Sequence, residues 1–208
     1  MKKSFFALPL IIASLAFTGA RAQNEIMNTE QRTAKVGTTQ ETKEQMTSKK
    51  KILVAYFSHS GNTREIANRI HEIVGGDIFE IQTVQTYPRD YDAVVKQAQE
   101  EQQSGYKPKL KSKMKDIGTY DVIFIGYPNW WGTIPMPIVT FFSEYNFPGK
   151  TVIPFCTHEG SRLGRSVSDI KKLCPRAKVL DGLAVRGSDA RNARNEVYEW
   201  LHAIGMTR

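Results

Sequence analysis

Ile52-Leu53-Val54-Ala55-Tyr56-Phe57-Ser58-His59-Ser60-Gly61-Asn62-Thr63 joins an unbroken apolar run to a turn of hydroxyls, a Gly and an Asn. A short apolar run bounded by turn residues predicts a strand buried on both faces, as in a parallel sheet. Beyond the turn, Ile66, Ile70, Ile73 and Val74 recur at helical spacing and stop at Gly75-Gly76, a helix-ending signal. One buried strand, a polar turn and a helix with one apolar face make up half of a βαβ unit.

Moving outward, the same alternation repeats. Ile78-Phe79-Glu80-Ile81 predicts a second strand, and Tyr91, Val94, Val95 and Ala98 share a helical face. Asp121 to Gly126 predicts a third strand, with a helix after Pro135 and Pro137. Thr151 to Phe155 predicts a fourth, followed by Leu163, Val167, Ile170 and Leu173 at helical spacing. Lys178 to Val185 predicts a fifth, and Val197, Trp200, Leu201 and Ile204 a last helix. Five strands alternating with five helices predict an α/β fold: a three-layer α/β/α, doubly wound, five-stranded parallel sheet.

Toward the N-terminus the composition changes. Lys2 and Lys3, the apolar stretch Phe5 to Phe17 and the small-x-small site Ala20-Arg21-Ala22 predict a signal peptide over residues 1–22. The apolar stretch is too short for a membrane span of about 20 residues and contains Pro9, so no stable span is expected after cleavage. Residues 23–48 are almost all polar and cannot bury enough surface to offset the entropy of ordering. They predict a flexible linker, with the folded domain over 49–208. The expected location is outside the cytoplasm, most naturally the periplasm.

The 208 residues carry a formal charge of +8, which falls to +5 without Lys2, Lys3 and Arg21. The remaining cations are scattered, whereas a nucleic-acid footprint is clustered on one face and interleaved with aromatics, so no nucleic-acid partner is expected. No His/Cys cluster has metal spacing, and no nucleophile–base pair can be argued from spacing, so neither a metal nor catalytic residues are predicted. Cys156 and Cys174 sit at opposite ends of one strand–helix unit, roughly 15 Å apart at 1.5 Å per helical residue, beyond disulfide reach.

In doubly wound sheets the ligand sits at the carboxyl ends of the strands. The first turn there offers Ser58, His59, Ser60, Gly61, Asn62 and Thr63 at a helix start. Gly lets the backbone approach, hydroxyls donate, and the free N–H groups of the helix point at an anion. An ordinary helix cap needs only one such side chain. Neither the dinucleotide fingerprint nor the Lys-containing nucleotide loop is present, so a phosphate on a smaller ligand fits better.

Ser58-x-Ser60-Gly61-x-Thr63 after a first buried strand resembles the flavodoxin phosphate loop. The resemblance runs from about Lys50 to the C-terminus, and the nearest likeness is a subfamily with Tyr-Pro-x-Trp-Trp-Gly after the third strand. It implies a flavodoxin-like strand order 2-1-3-4-5, non-covalent FMN and redox chemistry. The second loop, Tyr127-Pro128-Asn129-Trp130-Trp131-Gly132, would then lie at the isoalloxazine. Adjacent side chains of an extended loop point opposite ways, so only one Trp is expected to touch the flavin, with the choice open; the alternative is that one or both belong to the core. The third loop offers Thr157, His158, Glu159, Gly160 and Ser161, which the resemblance places along the pyrimidine side. A protonated His158 would favour the anionic reduced flavin and an ionised Glu159 would oppose it; both facing solvent is the bland alternative. Tyr87 and Tyr91 are weaker candidates for lining the ring.

Two departures qualify the resemblance. Typical flavodoxins are strongly acidic, whereas this domain is basic. No Gly lies between Tyr127 and Trp131, so a peptide flip to positive φ costs more. That shifts the expectation from a one-electron shuttle toward two-electron reduction of quinone-like or other small acceptors. NAD(P)H as direct donor stays open, with Arg162 and Arg165 as candidate phosphate contacts. The alternatives are a non-catalytic ligand-binding module of the cell envelope on the same fold, and a surface interaction protein working through residues 23–48.

Overall fold

A computed structural model describes residues 50–207. The predicted leader, the polar linker and Lys49 lie outside the described residues.

The described chain runs β1 (Ile52–Tyr56), α1 (Asn62–Val74), β2 (Asp77–Glu80), α2 (Tyr91–Ser104), a 3-10 turn (Ile117–Thr119), β3 (Val122–Pro128) and α3 (Met136–Glu144). It continues through β4 (Thr151–His158), α4 (Ser166–Leu173), β5 (Lys178–Val179), β6 (Leu183–Arg186), a 3-10 turn (Gly187–Asn192) and α5 (Arg194–Ala203). The sheet order is β2-β1-β3-β4-β5, with β6 also paired to β4, and the ladders between these strands are parallel. The expected strand order and layering are both present.

Strand alternation feeds two cores, which is why the strands read as continuous apolar runs. Leu53, Ala55, Ile123 and Ile125 pack with Val94 of α2, Ile138 and Phe141 of α3 and Ile170 of α4. Val54, Tyr56, Phe124 and Ile153 point the other way, onto Ile66 and Ile70 of α1 and Val197 and Leu201 of α5. Ile66 and Ile70 are fully buried, each worth about 1.5–3 kcal/mol relative to exposure.

The fifth strand differs from the continuous run expected over 178–185. It is two short segments on the same edge of β4, with registers Val152↔Val179 and then Phe155↔Leu183, so one extra residue bulges between them. The cause is Pro154. The Leu180 N–H donates to the Val152 carbonyl at 3.0 Å. Pro154 lies two residues further along and faces the same neighbour, but it has no N–H to give. Pairing resumes only past it.

Two strands also run further than expected. Tyr127↔Cys156 and Pro128↔Thr157 remain paired, so Tyr127, Pro128, Thr157 and His158 end strands rather than begin loops. Among the described residues, no helix is long and apolar enough to cross a membrane.

Candidate functional site

The carboxyl ends of β1, β3 and β4 open into one cavity of about 680 Å³, closed on its far side by the first turns of α2. Of the predicted site residues, His59, Ser60, Asn62, Pro128, Asn129, Trp130, Trp131, Gly132, Thr157, His158, Glu159, Gly160 and Ser161 line it. Ser58, Gly61, Thr63 and Tyr127 do not.

The physical reasons for those four differ. Ser58 Oγ turns back to accept the Arg64 N–H of α1 at 3.3 Å. Thr63 is buried, and its hydroxyl meets that of Thr157 at 2.9 Å, tying the first turn to β4. Tyr127 is fully buried in the core, where its hydroxyl donates to Ser166 Oγ at 2.7 Å and burial pushes the phenol pKa up. Gly61 precedes α1 with φ +97°, a left-handed conformation that side-chain-bearing residues resist. Besides His59, Ser60 and Asn62, the turn presents backbone. The N–H groups of Ser60, Gly61, Asn62 and Thr63 donate to no partner among the described residues, and they stand at the N-terminus of the thirteen-residue α1.

The third-strand loop is not extended. Trp131 (φ +52°) and Gly132 (φ +76°) form a two-residue turn, closed by bonds of 3.1 Å in both directions between Trp130 and Thr133. Positive φ at both central residues matches the tight hairpin turn, and for Trp131 it costs roughly 1–2 kcal/mol. Both Trp residues line the cavity, with Trp130 also packed against the core and Trp131 47% exposed. Three anchors hold the turn. The Trp131 indole N–H donates to the Val95 carbonyl at 3.0 Å, Gln102 Nε2 donates to the Trp130 carbonyl at 2.9 Å, and the Arg165 N–H donates to the Gly132 carbonyl at 2.8 Å. Trp130 meets the rings of Phe57, His59 and Tyr87 edge-on, at centroid distances of 5.5, 5.9 and 5.1 Å.

Asn129 carries the site's clearest unsatisfied group. Its Nδ2 donates to the Arg162 carbonyl at 2.5 Å, while the buried Oδ1 has no donor. A buried acceptor left unmade costs about 1–3 kcal/mol, so a ligand N–H is the natural complement. At β4, the Gly160 N–H donates to His158 Nδ1 at 3.0 Å.

Next to the cavity, a Cβ at Gly187 would crowd Glu159 Oε1 and stand 2.7 Å from Asn62 Nδ2. A side chain there would push those two side-chain ends aside. Arg89, Val94, Val95 and Ala98 of the α2 side also line the cavity, as does Tyr91, which is 70% exposed. The helical face of Val94 and Ala98 was legible, but not that its upper end forms a wall. Tyr87 lies outside this cavity, with its hydroxyl on the buried Glu101 at 2.5 Å. Arg165, a candidate phosphate contact, is instead engaged with Asp169 at 3.1 Å. Cys156 and Cys174 are both buried and free.

The flavodoxin family profile matches residues 51–204. A protein from Bacteroides eggerthii described as a flavoprotein is 38% identical in sequence, with a TM-score of 0.67 over 75% of this chain and 98% of that one. One from Bacteroides uniformis, described likewise, is 33% identical with a TM-score of 0.67, covering 74% and 99%. A Lactobacillus acidophilus flavoprotein solved in complex with FMN is 27% identical with a TM-score of 0.59, covering 73% and 99%. No curated protein matches the chain. The family match over most of the folded region, and the shared fold at 38% identity, agree with the sheet order and the cavity: the chain belongs to the flavodoxin family.

Proposed function

We propose that this chain binds FMN non-covalently in the cavity at the carboxyl ends of β1, β3 and β4, and works as an oxidoreductase or electron-transfer protein. The observation that carries the proposal is the row of undonated N–H groups from Ser60 to Thr63, set at the start of α1 on the rim of a cavity lined by two indoles. The L. acidophilus relative, solved with FMN, supports the same reading.

The residues present fit the group. A phosphate satisfies the free N–H groups and meets the positive end of α1. Trp130 and Trp131 offer apolar faces to a planar ring, worth about 0.5–1.5 kcal/mol beyond burial. The orphaned Asn129 Oδ1 suits a ring N–H. FMN, when bound, supplies the electron transfer, and the protein's part is to hold and tune it. Among the tuning groups, an ionised Glu159 would disfavour extra negative charge at the ring, and a protonated His158 would favour it. Tyr-Pro-x-Trp-Trp-Gly is the subfamily mark on this reading. NAD(P)H as donor and a quinone-like or other small molecule as acceptor complete it. A cleaved leader over 1–22, a tether over 23–48 and a domain over 49–208 make the protein an exported, periplasmic one.

The test is a fluorescence titration of the purified domain with FMN and with riboflavin. FMN should bind with the two visible bands of an oxidised flavin, and riboflavin at least about tenfold more weakly, a difference of about 1.4 kcal/mol for the missing phosphate. A folded, colourless protein indifferent to FMN would sink the proposal and leave the non-catalytic binding module in front.

A further inference from the structure

A second cavity of about 480 Å³ lies beside the first and shares His59 and Arg89 with it. Its outer wall is a ribbon the sequence does not announce. Segment 109–111 folds back antiparallel onto 82–84, with the Val84 N–H on the Lys109 carbonyl at 2.9 Å and the Lys111 N–H on the Gln82 carbonyl at 2.8 Å. Thr83 and Leu110 are buried at the pairing point. The ribbon therefore fixes where Lys111 stands.

The charges in this cavity do not balance. Glu80 is taken by Arg64 at 2.5 Å and by Gln82 at 3.2 Å. Asp90, beside Arg89, turns its carboxylate to the Ala93 N–H and caps α2. Arg89 and Lys111 line the cavity, and among the described residues neither side chain has an ion-pair or hydrogen-bond partner. The loop carrying Arg89 is pinned to the first turn, where His59 Nε2 meets the Pro88 carbonyl at 2.7 Å. Two unpaired cations on held backbone segments, lining one concavity, match a dianion.

We infer that Arg89 and Lys111 form an anion subsite for a phosphomonoester, on a ligand whose aromatic end enters the first cavity. A pyridine dinucleotide carrying a 2′-phosphate has this chemistry, since its ring and phosphate lie at opposite ends of an extended molecule. At pH 7 the phosphomonoester bears about −1.5 to −2 charge, against two cations here and none of the pairing that Arg165 has with Asp169. The inference rests on the proposed flavin in the first cavity, because the nicotinamide is taken to reach that ring.

The test uses the FMN-loaded full-length protein, with NADP⁺, NAD⁺ and inorganic phosphate titrated separately by quenching of tryptophan fluorescence. NADP⁺ should bind about tenfold or more tightly than NAD⁺, or about 1.4 kcal/mol, and the preference should shrink as salt rises. Lys111→Ala should cut that preference severalfold without changing the visible flavin spectrum, and Lys111→Glu should abolish it. Arg89→Ala should cut it as well. Equal affinity for NADP⁺ and NAD⁺, a preference that survives Lys111→Glu, or phosphate alone competing as well as NADP⁺ would overturn the subsite. A protein without the flavin spectrum marks failure of the FMN proposal instead, and that is read from absorbance before any nucleotide is added.

Discussion

The two ends of the sheet handle polar groups in opposite ways. At the amino end a buried Lys and its neighbours are engaged. Lys150, 8% exposed, donates to the carbonyls of Gly118 and Tyr120 at 2.7 and 2.6 Å. The Tyr120 hydroxyl reaches Asp77 at 2.7 Å, and Lys51 bonds Thr119 while lying 4.7 Å over the Tyr120 ring. At the carboxyl end, four backbone N–H groups, Asn129 Oδ1 and the Arg89 guanidinium have no partner among the described residues, and Trp131 holds a conformation its side chain disfavours. Satisfied groups stabilise a fold, while unsatisfied and strained ones persist where something else completes them. The contrast supports the carboxyl end as the proposed binding end.

The largest effect should come from breaking the amino end. Lys150→Ala leaves two buried carbonyls unpaired and should lower unfolding free energy by about 3 kcal/mol, measured in urea, while FMN affinity stays unchanged. A loss of FMN affinity at full stability would undo the division between the ends.

A second, intermediate effect is pH dependence from the buried layer under the site. Burial pushes the Cys156 thiol from about 9 up to about 12. The native thiol keeps its proton while the unfolded one releases it, so stability is full below pH 9 and falls as pH climbs from 9 toward 12. The slope approaches about 1.4 kcal/mol per pH unit for one group. Urea midpoints at pH 8 and at pH 10.5 should converge in Cys156→Ala relative to wild type. An unchanged slope in the variant would assign the alkaline loss to other groups.

The smallest effect sharpens the contrast at the carboxyl end. Thr63→Val removes the hydroxyl pair with Thr157 and should cost about 1 kcal/mol of stability. It should also weaken FMN more than riboflavin, because the phosphate turn loses its tie to β4. Equal weakening of both flavins would place that tie away from the phosphate.

The legible parts of this fold were those with a period. The apolar runs at Ile52, Val122 and Thr151 and the helical repeats after them needed no tertiary information. The first turn was legible in kind, but it leaves N–H groups free while the Ser58 and Thr63 hydroxyls are used internally. What stayed hidden depended on distant partners. The bulge in the fifth strand follows from Pro154 on the neighbouring strand. The 82–84/109–111 ribbon has no alternating pattern, and Gly187 matters only because Glu159 and Asn62 converge on it. The Trp131-Gly132 turn was hidden for a local reason: a bulky residue at positive φ contradicts the usual preference, and the surrounding anchors impose it.

The most direct test of the central claim is an amide nitrogen–proton correlation spectrum of the apoprotein recorded as FMN is added. The account predicts large shifts at Ser60, Gly61, Asn62 and Thr63 and at the indole N–H of Trp131, with Gly118, Tyr120 and Lys150 unmoved. Shifts confined to the amino end, or none at the first turn with flavin bound, would contradict it.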